Sequence, residues 1–99
     1  MSLENVSVVR IYLREEGDIL NRVLKLLKGH VRGVTALRGI AGIGEHGDLH
    51  TSALIDLSLE LPLIVEFFEE AEKAEGLIKM LNELDGIHHI LSWSATVKS

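Results

Sequence analysis

Residues 6–31 read VSVVRIYLREEGDILNRVLKLLKGHV, and the change of period inside this stretch decides the fold. From Val6 to Leu13 the side chains sort by twos. Val9, Ile11 and Leu13 share one face and Val8, Arg10 and Tyr12 the other, which is the geometry of a β-strand. Gly17 and Asp18 interrupt the alternation, and Asp18 suits the N-cap of a helix. Beyond it Leu20, Val23, Leu24, Leu27 and Val31 recur at three and four residues, the period of an amphipathic helix. Arg22, Lys25, Lys28 and Arg32 recur on the opposite side as one basic stripe, ordinarily a solvated face, with Gly29 or Gly33 placed to end the helix.

The same alternation of strand and helix repeats downstream. Val34 to Ile40 predicts a second strand, and Gly39 to Asp48, which holds four of the nine glycines, predicts a long mobile loop. Ala53, Ile55, Leu57 and Leu59 alternate within His50 to Leu59, a strand or loop arm. Pro62 opens a strand from Leu63 to Phe68. Glu69 to Leu84 predicts a second helix, with Ala74, Leu77, Ile78 and Leu81 inward and Glu70, Glu72, Glu75, Lys79 and Glu83 outward. Gly86 follows, and Ile87 to Val97 forms the last strand, alternating through His89, Leu91, Trp93, Ala95 and Val97.

Read together, these elements give an α+β ferredoxin-like split βαβ sandwich, βαββαβ, with a four-stranded antiparallel sheet and both helices on one face. Residues 1–99 make a single domain. Two helices cover one face of such a sheet, yet Leu63, Val65 and Phe67 point one way while Ile64 and Phe68 point the other. Something must cover the second face, so we expect a homo-oligomer with Ile64 and Phe68 at its interface.

Composition narrows the function classes. The 99 residues carry 10 Lys and Arg against 15 Asp and Glu, a net charge of -5. Apolar residues make up 46% of the chain and mean hydropathy is +0.23, which excludes an acidic disordered segment. The longest apolar run, Leu61 to Val65, is far below the roughly 20 residues that cross a bilayer, so no membrane insertion is expected. The absence of Cys excludes disulfides, thiolate catalysis and Cys zinc sites. Glu4 and Arg10 interrupt any secretory apolar region, and the expected location is the cytoplasm. Residues 1–50 hold seven basic and six acidic side chains, and residues 51–99 three and nine. A nucleic-acid partner would need a domain-wide basic face, which is missing, whereas a small anionic ligand needs only a local cluster.

The segment Gly42-Ile43-Gly44-Glu45-His46-Gly47 spells G-x-G-x-x-G after a predicted strand. A dinucleotide site requires a helix immediately afterwards, and here an extended segment follows. Such a loop can instead cradle an anion on successive backbone N–H groups, with Arg38 at its base supplying a planar donor fork. His46, Asp48 and His50, with His88 from a neighbour, would be the residues of a small metal-dependent or acid-base enzyme, the alternative reading. The histidine spacing is weak for that role, because His46 and His50 lie in a loop and adjacent His88 and His89 should point to opposite faces of a strand. No metal site and no catalytic residue are therefore assigned. With one Trp, one Tyr and two Phe there is no paired aromatic platform for RNA, so packing accounts for Trp93. A purely structural partner-docking domain is the third reading.

Gly33-Val34-Thr35-Ala36-Leu37-Arg38-Gly39-Ile40-Ala41-Gly42-Ile43-Gly44, His50-Thr51 and Leu57-Ser58-Leu59-Glu60-Leu61-Pro62-Leu63-Ile64-Val65-Glu66 closely resemble a bacterial and archaeal family catalogued as a domain of unknown function, DUF190, and regarded as PII-like. The likeness runs from Arg10 onward, and its most specific parts are the R-G-x-x-G-x-G loop entry and the L-S-x-x-L-P strand entry. Ile43 stands where an aromatic is usual, and Glu69 where Asp is common. The resemblance implies a trimer akin to the nitrogen-regulatory PII signalling proteins, with the loop after the second strand matching the PII T-loop. PII proteins bind adenine nucleotides in clefts between subunits and regulate partners through that loop. The motif positions carried over are Arg38, Gly39, Gly42, Gly44 and His50; with Glu45 and His46 of the same loop they make the candidate ligand set. The expected function is thus that of a regulatory protein, not an enzyme. It would bind a small anionic metabolite such as an adenine nucleotide, itself as a homotrimer, and a membrane transporter or channel.

Overall fold

The change of period at Gly17 is where the first strand gives way to the first helix. β1 spans Leu3–Leu13, α1 Ile19–Leu27, β2 Val34–Arg38, β3 Ala41–Ile43, β4 Leu49–Thr51, β5 Leu63–Glu69, α2 Ala71–Leu81 and β6 Ile87–Lys98. These elements come from a computed structural model in which residues 2–14, 17–43, 47, 49–51 and 63–98 are described, with 49–51 as backbone only. The four long strands form one antiparallel sheet in the order β2-β5-β1-β6, and both helices pack on the same side of it. This is the ferredoxin-like split βαβ arrangement expected from the pattern. β3 and β4 form a separate two-stranded ribbon.

The core lies where the two periods coincide. In the sheet Val9 pairs with Phe67, Ile11 with Val65 and Leu13 with Leu63, so six apolar side chains stand in three cross-strand rows. Ile19, Val23 and Leu27 of α1, spaced by four, and Ala74, Leu77 and Leu81 of α2, spaced by three and four, close over them. Val9, Ile11, Val23, Val65 and Leu81 are completely inaccessible to solvent. Burying each side chain of this size contributes roughly 1.5–3 kcal/mol.

Element ends differ from the sequence reading in ways that bear on function. α1 stops at Leu27, because Gly29 takes a left-handed φ of +82° just beyond the Lys28 cap, so the basic stripe is broken after Lys25. Arg32, the last member of that stripe, leaves the helix surface altogether. Its backbone N–H donates to Glu69 Oε2 at 2.8 Å and its Nη1 meets Glu4 Oε1 at 2.7 Å. The Asp18 side chain caps no backbone amide, and accepts instead from Asn21 Nδ2 at 2.8 Å. Glu69, expected to begin the second helix, is the last residue of β5 and is buried, since strand parity turns it to the helix side. α2 accordingly runs only from Ala71 to Leu81.

Among the described glycines Gly17, Gly29, Gly47 and Gly86 take a left-handed φ, and of these Gly86, at +94° between α2 and β6, is the one packed against a neighbouring side chain. A Cβ on Gly86 would come within 3.0 Å of Ile19 Cγ1, so this position joins a backbone requirement to the packing of α1.

Candidate functional site

The ribbon decides where the candidate ligand residues sit. Gly39 to Asp48 is not the unbroken loop expected, because Ala41–Ile43 pairs antiparallel with Leu49–Thr51, placing Gly42 opposite His50. Of the segment expected from His50 to Leu59, only His50 and Thr51 are described, in β4; residues 52–62, with Ala53, Ile55, Leu57, Leu59 and Pro62, lie outside the described residues. Gly44, Glu45, His46 and Asp48 also lie outside them. Ile40 and Ile43 are 78% and 70% exposed, so the described part of the ribbon root shows large apolar side chains to solvent.

Arg38 is the last residue of β2 and pairs with Leu63, which pairs with Leu13, which pairs with Ile87. One row of register partners therefore crosses the whole sheet at the foot of the ribbon. Arg38 is exposed at this foot and Gly39 is half-buried beside it. Neither Gly39 nor Gly42 takes a left-handed φ; among the described glycines of the loop only Gly47 does, at +80°. A backbone cradle alternating right- and left-handed residues is thus not formed at Gly39 and Gly42, because strand pairing holds Gly42 extended.

The sheet face away from the helices is the second feature. Strand parity puts Val6, Val8, Arg10 and Tyr12 of β1, Ile64, Glu66 and Phe68 of β5, Leu37 of β2, and Leu91, Trp93, Ala95 and Val97 of β6 on this face. Leu37, Leu91 and Trp93 are 45%, 49% and 42% exposed, whereas Ile64 and Phe68 are only half-buried. Phe68 is partly roofed by the Arg32 guanidinium, 4.9 Å from its ring centroid. The strongest interface candidates are therefore Leu37, Leu91 and Trp93; the alternation along β6 groups Leu91 with Trp93 on one face, though it does not say which face is covered. Trp93 does not belong to the core.

Within this apolar face lies an ion pair between β1 and β5. Arg10 Nη2 meets Glu66 Oε1 at 2.7 Å, and the Arg10 guanidinium stands 5.5 Å from the Trp93 ring centroid. The hydrogen bond to Glu66, and then that to Tyr12, holds the Arg10 pKa above its ordinary value. The hydrogen bond to Glu4 does the same for Arg32.

Among the described residues the histidines do not assemble as a metal centre, and the side chain of His50 lies outside that set. No three described His, Asp or Glu side chains come together as one, and His46 and Asp48 are also outside the described residues. His88 and His89, expected on opposite faces, touch with ring centroids 4.0 Å apart, because the β1–β6 register slips by one residue there. Arg14, which the sequence reading passed over, donates from Nε to His88 Nδ1 at 3.2 Å at the same end of the sheet as Arg38. No helix among the described residues is long and apolar enough to cross a membrane.

This architecture recurs in known proteins. The family model of DUF190, described as an uncharacterized ACR, matches residues 6–97. A UPF0166 protein of Aquifex aeolicus is 36% identical over 72 residues, 73% of this chain and 75% of that protein. In fold, the chain is similar to CPII, a nitrogen regulatory PII-like protein of Thiomonas intermedia solved with ADP, AMP and bicarbonate. That likeness has a TM-score of 0.70 at 18% identity and covers 99% of this chain and 100% of that one. It is similar also to a PII-like signaling protein of Thermus thermophilus, at TM-score 0.65 and 17% identity over 98% of this chain and 91% of that one. With its matched span reaching from Val6 in β1 to Val97 in β6, the chain belongs to the DUF190 family.

Proposed function

We propose that this chain is a PII-like regulatory protein that binds a small anionic metabolite, an adenine nucleotide foremost, at the foot of the β3–β4 ribbon. The observation that carries this reading is the ribbon itself. It leaves a rigid sheet at Arg38, its root exposes Ile40 and Ile43, and Gly39 and Gly42 stand within it. An arginine where a two-stranded ribbon leaves the sheet suits an anion whose binding repositions that ribbon. The Thiomonas protein of the same fold is bound to ADP and AMP as well as bicarbonate, which supports an adenine nucleotide as a ligand.

The open sheet face supplies the assembly. We place it between copies of this chain in a homotrimer, with ligand clefts between subunits, because a closed ring buries Leu37, Leu91 and Trp93 of every copy at once. Gly44, Glu45 and His46, from the sequence between β3 and β4, and His50 of β4 complete the proposed ligand set, and the exposed apolar root docks a partner such as a membrane transporter or channel. The protein acts by binding, in the cytoplasm, and performs no catalysis.

Calorimetric titration with ATP, ADP, AMP and cyclic nucleotides tests the ligand. We expect saturable heat with at least one of them and a higher Tm, since a ligand at hundredfold excess over its Kd stabilises the folded state by about 2.7 kcal/mol. Absence of both at millimolar nucleotide overturns the nucleotide reading. Light scattering after size exclusion should give three times the 10.9 kDa chain mass, and a monomer would overturn the assembly.

A further inference from the structure

At the end of the sheet where the ribbon departs, Tyr12, His89, His88 and Arg14 form one continuous series of contacts. Tyr12 pairs with His89 but Leu13 with Ile87, so His88 is an extra residue in β6, a β-bulge. Neighbouring side chains of an unbroken strand leave on opposite faces. Across this bulge the two imidazoles instead meet at 4.0 Å between centroids, with Tyr12 edge-on to His89 at 6.4 Å. Arg14 is fixed beside them by its backbone N–H, which donates to the Gly86 carbonyl at 2.9 Å. Its Nε donates to His88 Nδ1 at 3.2 Å, so that hydrogen bond assigns the His88 proton to Nε2.

What sets this group apart is the partner it lacks. Arg10 and Arg32 each meet a carboxylate oxygen at 2.7 Å, whereas among the described residues Arg14 meets only an imidazole. The Arg14 Nη groups and the His88 Nε2–H are donors on exposed side chains at one place. An anion with several acceptor oxygens satisfies them together, through the guanidinium fork and the imidazole. The His89 ring stands edge-on to His88 and completes the group.

We propose that Arg14, His88 and His89 form a binding site for a phosphoryl group, whether free phosphate or the phosphate of a nucleotide. The proposal deepens the anionic-ligand reading and rests on it, while assigning the phosphate to residues outside the glycine-rich loop.

The test uses the wild-type protein and follows the imidazole signals of His88 and His89 by NMR, identified with His88→Gln and His89→Gln. Potassium phosphate is added against potassium chloride at equal ionic strength, then AMP against adenosine. Phosphate and AMP should move both signals to saturation, and chloride and adenosine should not. Arg14→Gln should weaken the phosphate midpoint by about tenfold or more, the loss of a charged hydrogen-bonding partner, with Tm unchanged. Signals unmoved by phosphate, or an unchanged midpoint in Arg14→Gln, overturn the proposal. AMP that binds by calorimetry without moving His88 overturns it too and leaves the nucleotide reading standing. Phosphate that moves His88 while no nucleotide binds sustains this site and removes the nucleotide; AMP that moves His88 where phosphate does not shows that the phosphoryl group alone is insufficient, and overturns the proposal.

Discussion

The two faces of one strand pair differ in who completes them. On the helix side of β1 and β5, Val9, Ile11, Leu13, Leu63, Val65 and Phe67 are all buried by α1 and α2. On the other side the same strands carry Val8, Tyr12, Ile64 and Phe68, together with the Arg10–Glu66 ion pair; all four are only half-buried, Phe68 partly under Arg32, and neither α1 nor α2 covers them. The first face is a finished core and the second is half of one. With Leu37, Leu91 and Trp93 exposed on the same face beside an aligned ion pair, the surface has a register, and a second copy can read both the apolar area and the charge.

Placing the same charge on each face gives the largest effect. Val65→Asp puts an unpaired carboxylate into the completely buried face, at a cost of several kcal/mol against a total stability of about 5–15 kcal/mol for a domain of this length, and we expect no cooperative thermal transition. Ile64→Asp, one residue away on the open face, should keep the native far-UV circular dichroism while light scattering shows loss of the oligomer. If both variants unfold alike, or if Ile64→Asp keeps the oligomer, the contrast between the faces fails.

A smaller effect tests the turn that seats α1 against the sheet. Gly86→Ala adds a Cβ to a left-handed backbone and presses it against Ile19, for which we expect about 1–2 kcal/mol of destabilisation in urea unfolding. No change would mean that the turn relaxes freely and that the finished face tolerates movement of α1.

The smallest effect concerns pH. The pKa values of Arg10 and Arg32 are raised in the folded protein, so the stabilisation they report is complete below the ordinary arginine range and is lost only as pH rises through the raised values. The stability difference between wild type and Arg10→Gln should therefore be flat from about pH 6 to pH 10. A slope in that window would assign the open face a titrating partner other than Glu66.

Much of this was legible from spacing. The period of two in residues 6–13 and the periods of three and four in residues 20–31 and 74–81 named most of the core directly, though not Ile19, because burial on one face imposes those intervals whatever the packing partner. Site positions were legible only as motifs. Arg38, Gly39, Gly42 and His50 could be picked from the loop entry, but the pairing of Gly42 with His50 could not, since a three-residue strand rich in glycine has almost no periodic signature. Leu37 and Trp93 were hidden for another reason: an apolar residue on an uncovered face has the same spacing as one in the core.

The sequence by itself determined which residues are apolar on which face, hence two helices, a four-stranded sheet and a face left over. Only the tertiary structure decided what the charged side chains do. Arg32, 37 residues from Glu69 and 28 from Glu4, crosses from an expected helix stripe to tie β1 and β5 together. Arg14 reaches His88 across 74 residues because a one-residue slip in strand pairing turns the imidazole toward it. The physical reason is range. Apolar burial repeats locally and is written in the spacing of neighbours, whereas a hydrogen bond or ion pair joins one donor to one acceptor brought together by the whole fold, and no local period records it.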